Sequence, residues 1–240
     1  MGRRAAVTTA VGACALLAAA CASPAGEPPV VRIAEAVAPS PDRTLDQALP
    51  TVEEMTSMFG AAGLMGQLVE GGPDMLLQGV REAEASPPDC VSTGYQLQKV
   101  VYQSAPVRSV VSQSWAGGDA NGPSATGFFG VVQFADADAA QQFFAASADK
   151  WHRCNGKTLE LRQPERGGDG SSRITDVGVD SSIVSAVVMQ DAGSTVQRAL
   201  GVAADCVVDV EISDAAGPDG TGARDAVAVA NLMLQKIGVR

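Results

Sequence analysis

The chain has 240 residues, 46% of them hydrophobic and 18% charged, enough for one good-sized core or two small ones and contrary to disorder, collagen or a coiled coil. Its 17 Lys and Arg stand against 27 Asp and Glu, a net charge of −10, which leaves no basic surplus for a phosphate backbone and excludes nucleic acid as a partner. A single histidine removes most hydrolytic and metal chemistries.

The N-terminus reads as an address. Arg3 and Arg4 form a short cationic region, and Ala5 to Ala20 is a charge-free, Ala-rich run that leads into Cys21. The run is shorter than the ~20 apolar residues that span a bilayer, so residues 1–20 read as a signal peptide. Ala18-Ala19-Ala20-Cys21 resembles a bacterial lipobox, with Leu17 one place early, and makes Cys21 the site of lipidation by diacylglyceryl and palmitate groups. The alternative is ordinary cleavage with Cys21 incidental; Cys14 has too short an apolar stretch before it, and Arg3-Arg4 lacks the flanking consensus of a twin-arginine signal. Cleavage takes two arginines and no acid, so the mature charge is −12. An anionic membrane surface repels such a domain, and attachment falls to the acyl chains. Residues 21–44, with Pro24, Pro28, Pro29, Pro39 and Pro41, read as a stiff tether, and the folded part, residues 45–240, as one domain.

Within it, Val52 to Val69 has helical spacing, with Thr51 as N-cap and Glu53 and Glu54 in the first turn, although Gly60, Gly63 and Gly66 interrupt it. A short helix over Asp74 to Glu84 follows. From Gly94 the period changes to two: Tyr95 to Tyr102 and Val107 to Trp115 read as a strand pair joined through Pro106, and Phe128 to Phe134 as a third strand. Asp136 opens a helix with Ala140, Phe144, Ala148 and Trp151 on one face. Lys157 to Arg162, Arg173 to Asp176 and Ile183 to Met189 are further strands, with a loop at Pro164 to Gly170. Val196 to Ser213 reads as a hairpin turning at Ala204-Asp205, with Cys206, Val208, Val210 and Ile212 on an apolar face and Asp209 and Glu211 on a solvated one. A helix from about Gly222 to Ile237, striped by Val227, Ala230, Leu234 and Ile237, closes the chain, and Gly238 is placed for a left-handed C-terminal cap. Strands in runs with few helices predict an α+β fold: a mainly antiparallel sheet packed against flanking helices.

Chemistry-bearing motifs are sparse. His152 and Cys154 are two apart on a helix and point to different sides, which argues against a nucleophile pair. Cys90, Cys154, Cys206 and His152 have zinc-ligand atoms without clustered spacing. Gly122 to Gly127 has the wrong interval for a nucleophile elbow, and Gly167 to Gly170 lacks the lysine of a phosphate loop. Asp219 to Asp225 is too short for a calcium loop. Asp136 and Asp138 read as charges at a helix start rather than an acid–base pair. No catalytic residue, metal site or cofactor is therefore expected. A ligand cleft is placed between sheet and helices, with Arg108, Arg153, Arg173 and Arg198 as groups that could face an anion.

Four patterns in order carry a family resemblance: Pro87-Pro88-Asp89-Cys90, Trp151-His152-Arg153-Cys154, Gln197-Arg198-Ala199-Leu200 and Val207-Val208-Asp209-Val210. Together they resemble the extracellular sensor domain of the actinobacterial kinase PknH, over about Leu45 to Ile237, in a form that occurs in envelope lipoproteins without the kinase. The resemblance implies a cleft for an unidentified ligand and no catalytic residues. It also implies four cysteines, of which Cys90 and Cys154 remain, while Val196 and Ser213 occupy the other two positions. Those two positions lie opposite each other across the hairpin, where Cβ atoms are ~5 Å apart, so a bridging pair could be lost together. The resemblance thus pairs Cys90 with Cys154 and leaves Cys206 as a buried unbridged thiol; a bridge from either to Cys206 is the competing arrangement. The expected role is a lipid-anchored, non-catalytic, ligand-binding sensor domain on the extracytoplasmic face of the membrane. A structural or protein-docking envelope lipoprotein is the alternative.

Overall fold

The computed structural model describes residues 44–119, 122–165, 168–191, 193–214 and 224–238. The expected signal peptide, the lipidation site Cys21, nearly all of the tether and most of the Asp219–Asp225 stretch lie outside them. After a 3₁₀ turn at Leu45–Ala48 come α1 (Val52–Phe59), β1 (Gly63–Met65) and β2 (Val69–Gly71). Further 3₁₀ turns at Pro73–Met75, Glu82–Glu84 and Pro88–Cys90 surround the two-residue β3 (Ala85–Ser86) and lead into two single-turn helices, α2 (Val91–Gly94) and α3 (Lys99–Tyr102). The remainder is β4 (Val107–Asp119), β5 (Gly122–Phe134), α4 (Ala137–Cys154), β6 (Thr158–Gln163), β7 (Gly168–Val179), β8 (Ile183–Gln190), β9 (Thr195–Ala203), β10 (Cys206–Asp214) and α5 (Arg224–Gly238).

The ten strands form one antiparallel sheet in the order β1-β4-β5-β10-β9-β8-β7-β6-β3, with β2 also on β4. The α+β class is as the sequence predicts. One face packs on α4 and the α2–α3 segment, around Val132, Phe144, Trp151, Leu159, Val188 and Leu200. The other packs on α1 and α5, around Met55, Trp115, Phe129, Val208, Val210 and Met233. Covering both faces removes the solvated side that the alternation of β10 suggests. Asp209, 2% exposed, lies under the α2–α3 segment, and Glu211 keeps a quarter of its side chain exposed.

The best-defined elements follow their local signals. Thr51 and Glu54 form a capping box at α1: the Glu54 N–H donates to Thr51 Oγ1 at 3.2 Å and the Thr51 N–H to Glu54 Oε2 at 2.7 Å. The Ala139 N–H donates to Asp136 Oδ1 at 2.8 Å at the start of α4, whose Ala140, Phe144, Ala148 and Trp151 are buried as the spacing requires. The β9–β10 hairpin turns at Ala204-Asp205 and sets Val196 opposite Ser213.

Elsewhere tertiary contacts override the pattern. The helix predicted to Val69 stops at Phe59 because Gly60 turns left-handed (φ 66°). The chain then pairs with β4. A Cβ on Gly63 would sit 2.2 Å from Trp115 Nε1, so glycine lets this short strand lie against the indole. Asp74 to Glu84 makes two 3₁₀ turns instead of a helix. Tyr95 to Tyr102 is not a strand: it lies across the sheet, with Leu97 over Gly130 and the Leu97 N–H donating to Asp209 Oδ2 at 2.9 Å. The loop after Pro164 is shorter than expected, because Gly168 already pairs with Gln163. In α5 the buried side is Ala226, Val229, Ala230, Met233 and Ile237, with Val227 and Leu234 at its margin, and Gly238 stays helical.

Candidate functional site

Two parts of the α4 side of the sheet concentrate polar chemistry. The first is interior. Arg198 of β9 is completely buried, its Nη2 donates to Asp209 Oδ1 of β10 at 2.6 Å, and its Cζ lies 5.7 Å from the centroid of the Trp151 ring. Arg198 Nη1 donates to the Thr93 carbonyl at 3.2 Å and Nε to the Val210 carbonyl at 3.3 Å. The second oxygen of Asp209 accepts from the Leu97 N–H and, at 3.2 Å, from the Tyr102 hydroxyl. One buried ion pair thereby holds both α2 and α3 onto the sheet.

Titration follows from this burial. Desolvation, reinforced by the carboxylate of Asp209, holds the Tyr102 phenol well above its ordinary value. Desolvation also raises Glu211, against the nearby Arg198 guanidinium 3.9 Å away. Tyr95 is raised by partial burial as well.

The second part is a cleft of about 540 Å³ between α4 and the segment 88–106. That volume falls within the ~300–1,000 Å³ of small-molecule sites. Phe143 of α4 stacks on Tyr102 with centroids 4.6 Å apart, and Lys150 reaches Asp89 of the opposite wall at 3.7 Å. The Cys90–Cys154 disulfide (Cα–Cα 5.7 Å) ties the same two elements together, and both cysteines are 1% exposed. The expected pairing is therefore present. Cys206 forms no disulfide; its buried thiol donates to Asp205 Oδ1 at 3.4 Å. Two of the four atoms considered for zinc are thus spent in the disulfide, and no cluster of metal-ligating side chains occurs among the described residues.

Four buried side-chain polar atoms meet no hydrogen-bond partner among the described residues: Ser92 Oγ, Thr93 Oγ1, Trp115 Nε1 and Trp151 Nε1. Of these, Ser92 alone lines the cleft. None of the four arginines expected to face an anion lines it. Arg108, Arg153 and Arg173 are exposed on β4, α4 and β7, and Arg198 is neutralised inside the core by Asp209. Sequence reasoning missed both Ser92 and the role of Asp209. The signal for the latter was an arginine in one apolar run and two carboxylates in the next, which a hairpin brings side by side.

A two-faced antiparallel sheet with a disulfide across the walls of a cleft defines a class: an α+β domain suited to an oxidising compartment outside the cytosol. The chain belongs to the family of PknH-like extracellular domains, whose family model matches residues 40–236. Its fold is similar to that of the extracellular domain of PknH from Mycobacterium tuberculosis. The two share 24% identity and a TM-score of 0.66 over 80% of this chain and 94% of that one. An uncharacterised protein from Mycobacterium smegmatis aligns over 82% of this chain and 96% of its own, with 13% identity and a TM-score of 0.41. No curated protein matches the chain. Among the described residues no helix is long and apolar enough to cross a membrane.

Proposed function

We propose that the chain is a non-catalytic, lipid-anchored sensor domain of the cell envelope that binds a small molecule in the cleft between α4 and residues 88–106. The observation that carries this reading is the construction of the cleft. Its two walls are fixed to one another by the Cys90–Cys154 bond, and the wall of residues 88–106 is held to the sheet by Arg198 and Asp209. A preformed cleft of this size suits recognition of a small molecule. The raised groups Tyr102, Tyr95 and Glu211 line no part of the cleft, which argues for binding rather than acid–base chemistry.

The test is a thermal shift of the purified chain with extracts of the cell envelope, where a ligand that binds only the folded state raises Tm. No shift with any extract overturns the reading. Lipid anchoring at Cys21 is tested separately by mass analysis of the membrane-extracted protein, where an unmodified N-terminus refutes it.

A second reading, a docking protein without a small-molecule site, is favoured by one observation. Leu64 of the edge strand β1 is 79% exposed, and Met58, Leu68 and Val69 are also exposed. An apolar edge of this kind suits a partner surface. Loss of a membrane partner on Leu64→Glu, with no thermal shift from extracts, would establish it instead.

A further inference from the structure

One edge of the sheet is an open strand. β1 ends the strand order on its side, and no described strand lies beyond it. The Gly118 N–H donates to the Ala62 carbonyl at 3.0 Å and the Gly66 N–H to the Ser114 carbonyl at 2.8 Å. Inward bonding alternates along an antiparallel strand, so Leu64 bonds to β4 while the N–H and C=O of Gly63 and Met65 point out of the edge. Proteins guard such edges with lysine, proline or a covering loop. The opposite edge is guarded: β3 is two residues long and runs into Pro87 and Pro88, which have no N–H. From Gly60 to Gly72 there is neither lysine nor proline.

Side chains make the same end of the sheet apolar and acidic. Leu64 is 79% exposed and stands on the face of Ala116, Thr126 and Phe128, with which it lines an open groove of about 470 Å³. No residue of α2, α3 or α4 lines that groove. Residues 44–80 contain five carboxylates and no basic group, and residues 109–134 contain one carboxylate and again no base. Lys236 of α5 reaches this region but is spent on Glu54 at 2.5 Å and on the Leu49 carbonyl at 2.7 Å. Arg108 lies seven residues along β4 from Trp115, roughly 20 Å away.

We infer that β1 takes an extended, cationic segment of a second protein as an added strand. The backbone of that segment bonds to Gly63 and Met65, an apolar side chain opposite Leu64 packs against it, and flanking lysines or arginines meet the carboxylates of this end. The inference rests on the docking use of the β1 edge and holds whether or not the cleft takes a ligand. A second copy of the chain, with a net charge of −10, would set one acidic end against another. An anionic lipid surface is repelled for the same reason.

The experiment titrates the full chain with the blocked heptapeptide Lys-Lys-Val-Ile-Val-Lys-Lys, reading affinity by calorimetry and the Gly63 and Met65 amides by hydrogen exchange. Its comparators are the same peptide with both valines N-methylated, the peptide with glutamate for every lysine, and phosphatidylglycerol–phosphatidylcholine vesicles. The expected result is binding of the lysine peptide alone, weakened by added salt, with slower exchange at Gly63 and Met65. Leu64→Ser should weaken it about tenfold through the lost apolar contact and leave Tm unchanged, because the side chain is exposed. Equal binding of the N-methylated or glutamate peptide, or no binding of any peptide, overturns strand addition. Uptake by the vesicles, or self-association that Leu64→Ser abolishes, also overturns it and gives the edge to lipid or to a second copy. In each of these cases the docking reading still stands if Leu64→Glu loses a membrane partner, and retention of that partner removes both.

Discussion

Arg198 and Asp209 form a 2.6 Å ion pair on adjacent strands although they do not face each other in the register: Arg198 stands opposite Glu211, and Asp209 opposite Leu200. The diagonal contact frees the remaining donors and acceptors of both side chains to hold Thr93, Leu97 and Tyr102. One wall of the cleft thus depends on a pair that lies outside it.

Replacing Arg198 by Met leaves Asp209 charged in the interior with only Leu97 and Tyr102 as donors. The expected loss, read by urea unfolding, is about 3–5 kcal/mol, as for other broken buried pairs. Removing both charges together, in Arg198→Met with Asp209→Leu, should recover a large part of it. A double variant no better than the single would show that the segment, not the charge, dominates.

Glu211 gives a pH signature. Its carboxyl titrates higher in the folded state than its ordinary 4.5, chiefly from burial. Such an acid binds more protons folded than unfolded, so its contribution to stability is full below 4.5 and is lost as pH rises through the folded value. Glu211→Gln removes that loss. The Tm difference between variant and wild type should be constant in acid and move in favour of the variant above pH 4.5. A difference independent of pH would contradict the assignment.

The disulfide spans a sequence separation of 64 and constrains the unfolded chain. By the chain-entropy model Cys90→Ser with Cys154→Ser costs about 4 kcal/mol. Because the bond also joins the cleft walls, any ligand affinity should fall in the same variant. Peptide mapping without reductant should yield the 90–154 cross-link, and Cys206 should resist alkylation until the protein is unfolded. Rapid labelling of native Cys206 would be at odds with its burial.

Gly130 tests how the α2–α3 segment sits. An added Cβ would lie 2.5 Å from Leu97 Cδ1, and Leu97 is itself buried with a left-handed backbone (φ 49°). Gly130→Ala should destabilise by about 1–3 kcal/mol through overpacking. Gly170→Ala, with open space around it, is the control and should stay within about 0.5 kcal/mol. Equal effects at both sites would mean that Leu97 yields easily.

Elements whose burial follows from their own periodicity were legible without coordinates. The capped α4 and the β9–β10 hairpin, with Val196 opposite Ser213, carry their signals within a few residues, because capping bonds and hairpin register are local. The Cys90–Cys154 pair was legible through the family resemblance rather than through spacing. The glycines at positions 60, 63 and 66 looked like blemishes in a helix; they mark the turn into β1 and the close approach to Trp115 and Ser114, residues about 50 positions later. Tyr95 to Tyr102 has strand-like composition, yet its backbone is claimed by Asp209, more than 100 residues away.

The sequence by itself determined the antiparallel α+β class, the long helix, the hairpin and the family, because period, capping and motif order are properties of neighbouring residues. Only the tertiary structure decided which charges are solvated. Asp209 looks solvated by alternation, yet it and Arg198 are buried because a second layer covers that face of the sheet, and desolvation then selects their partners. The cleft belongs to the same category: its walls come from segments some 50 residues apart, joined by the disulfide and by the sheet beneath them.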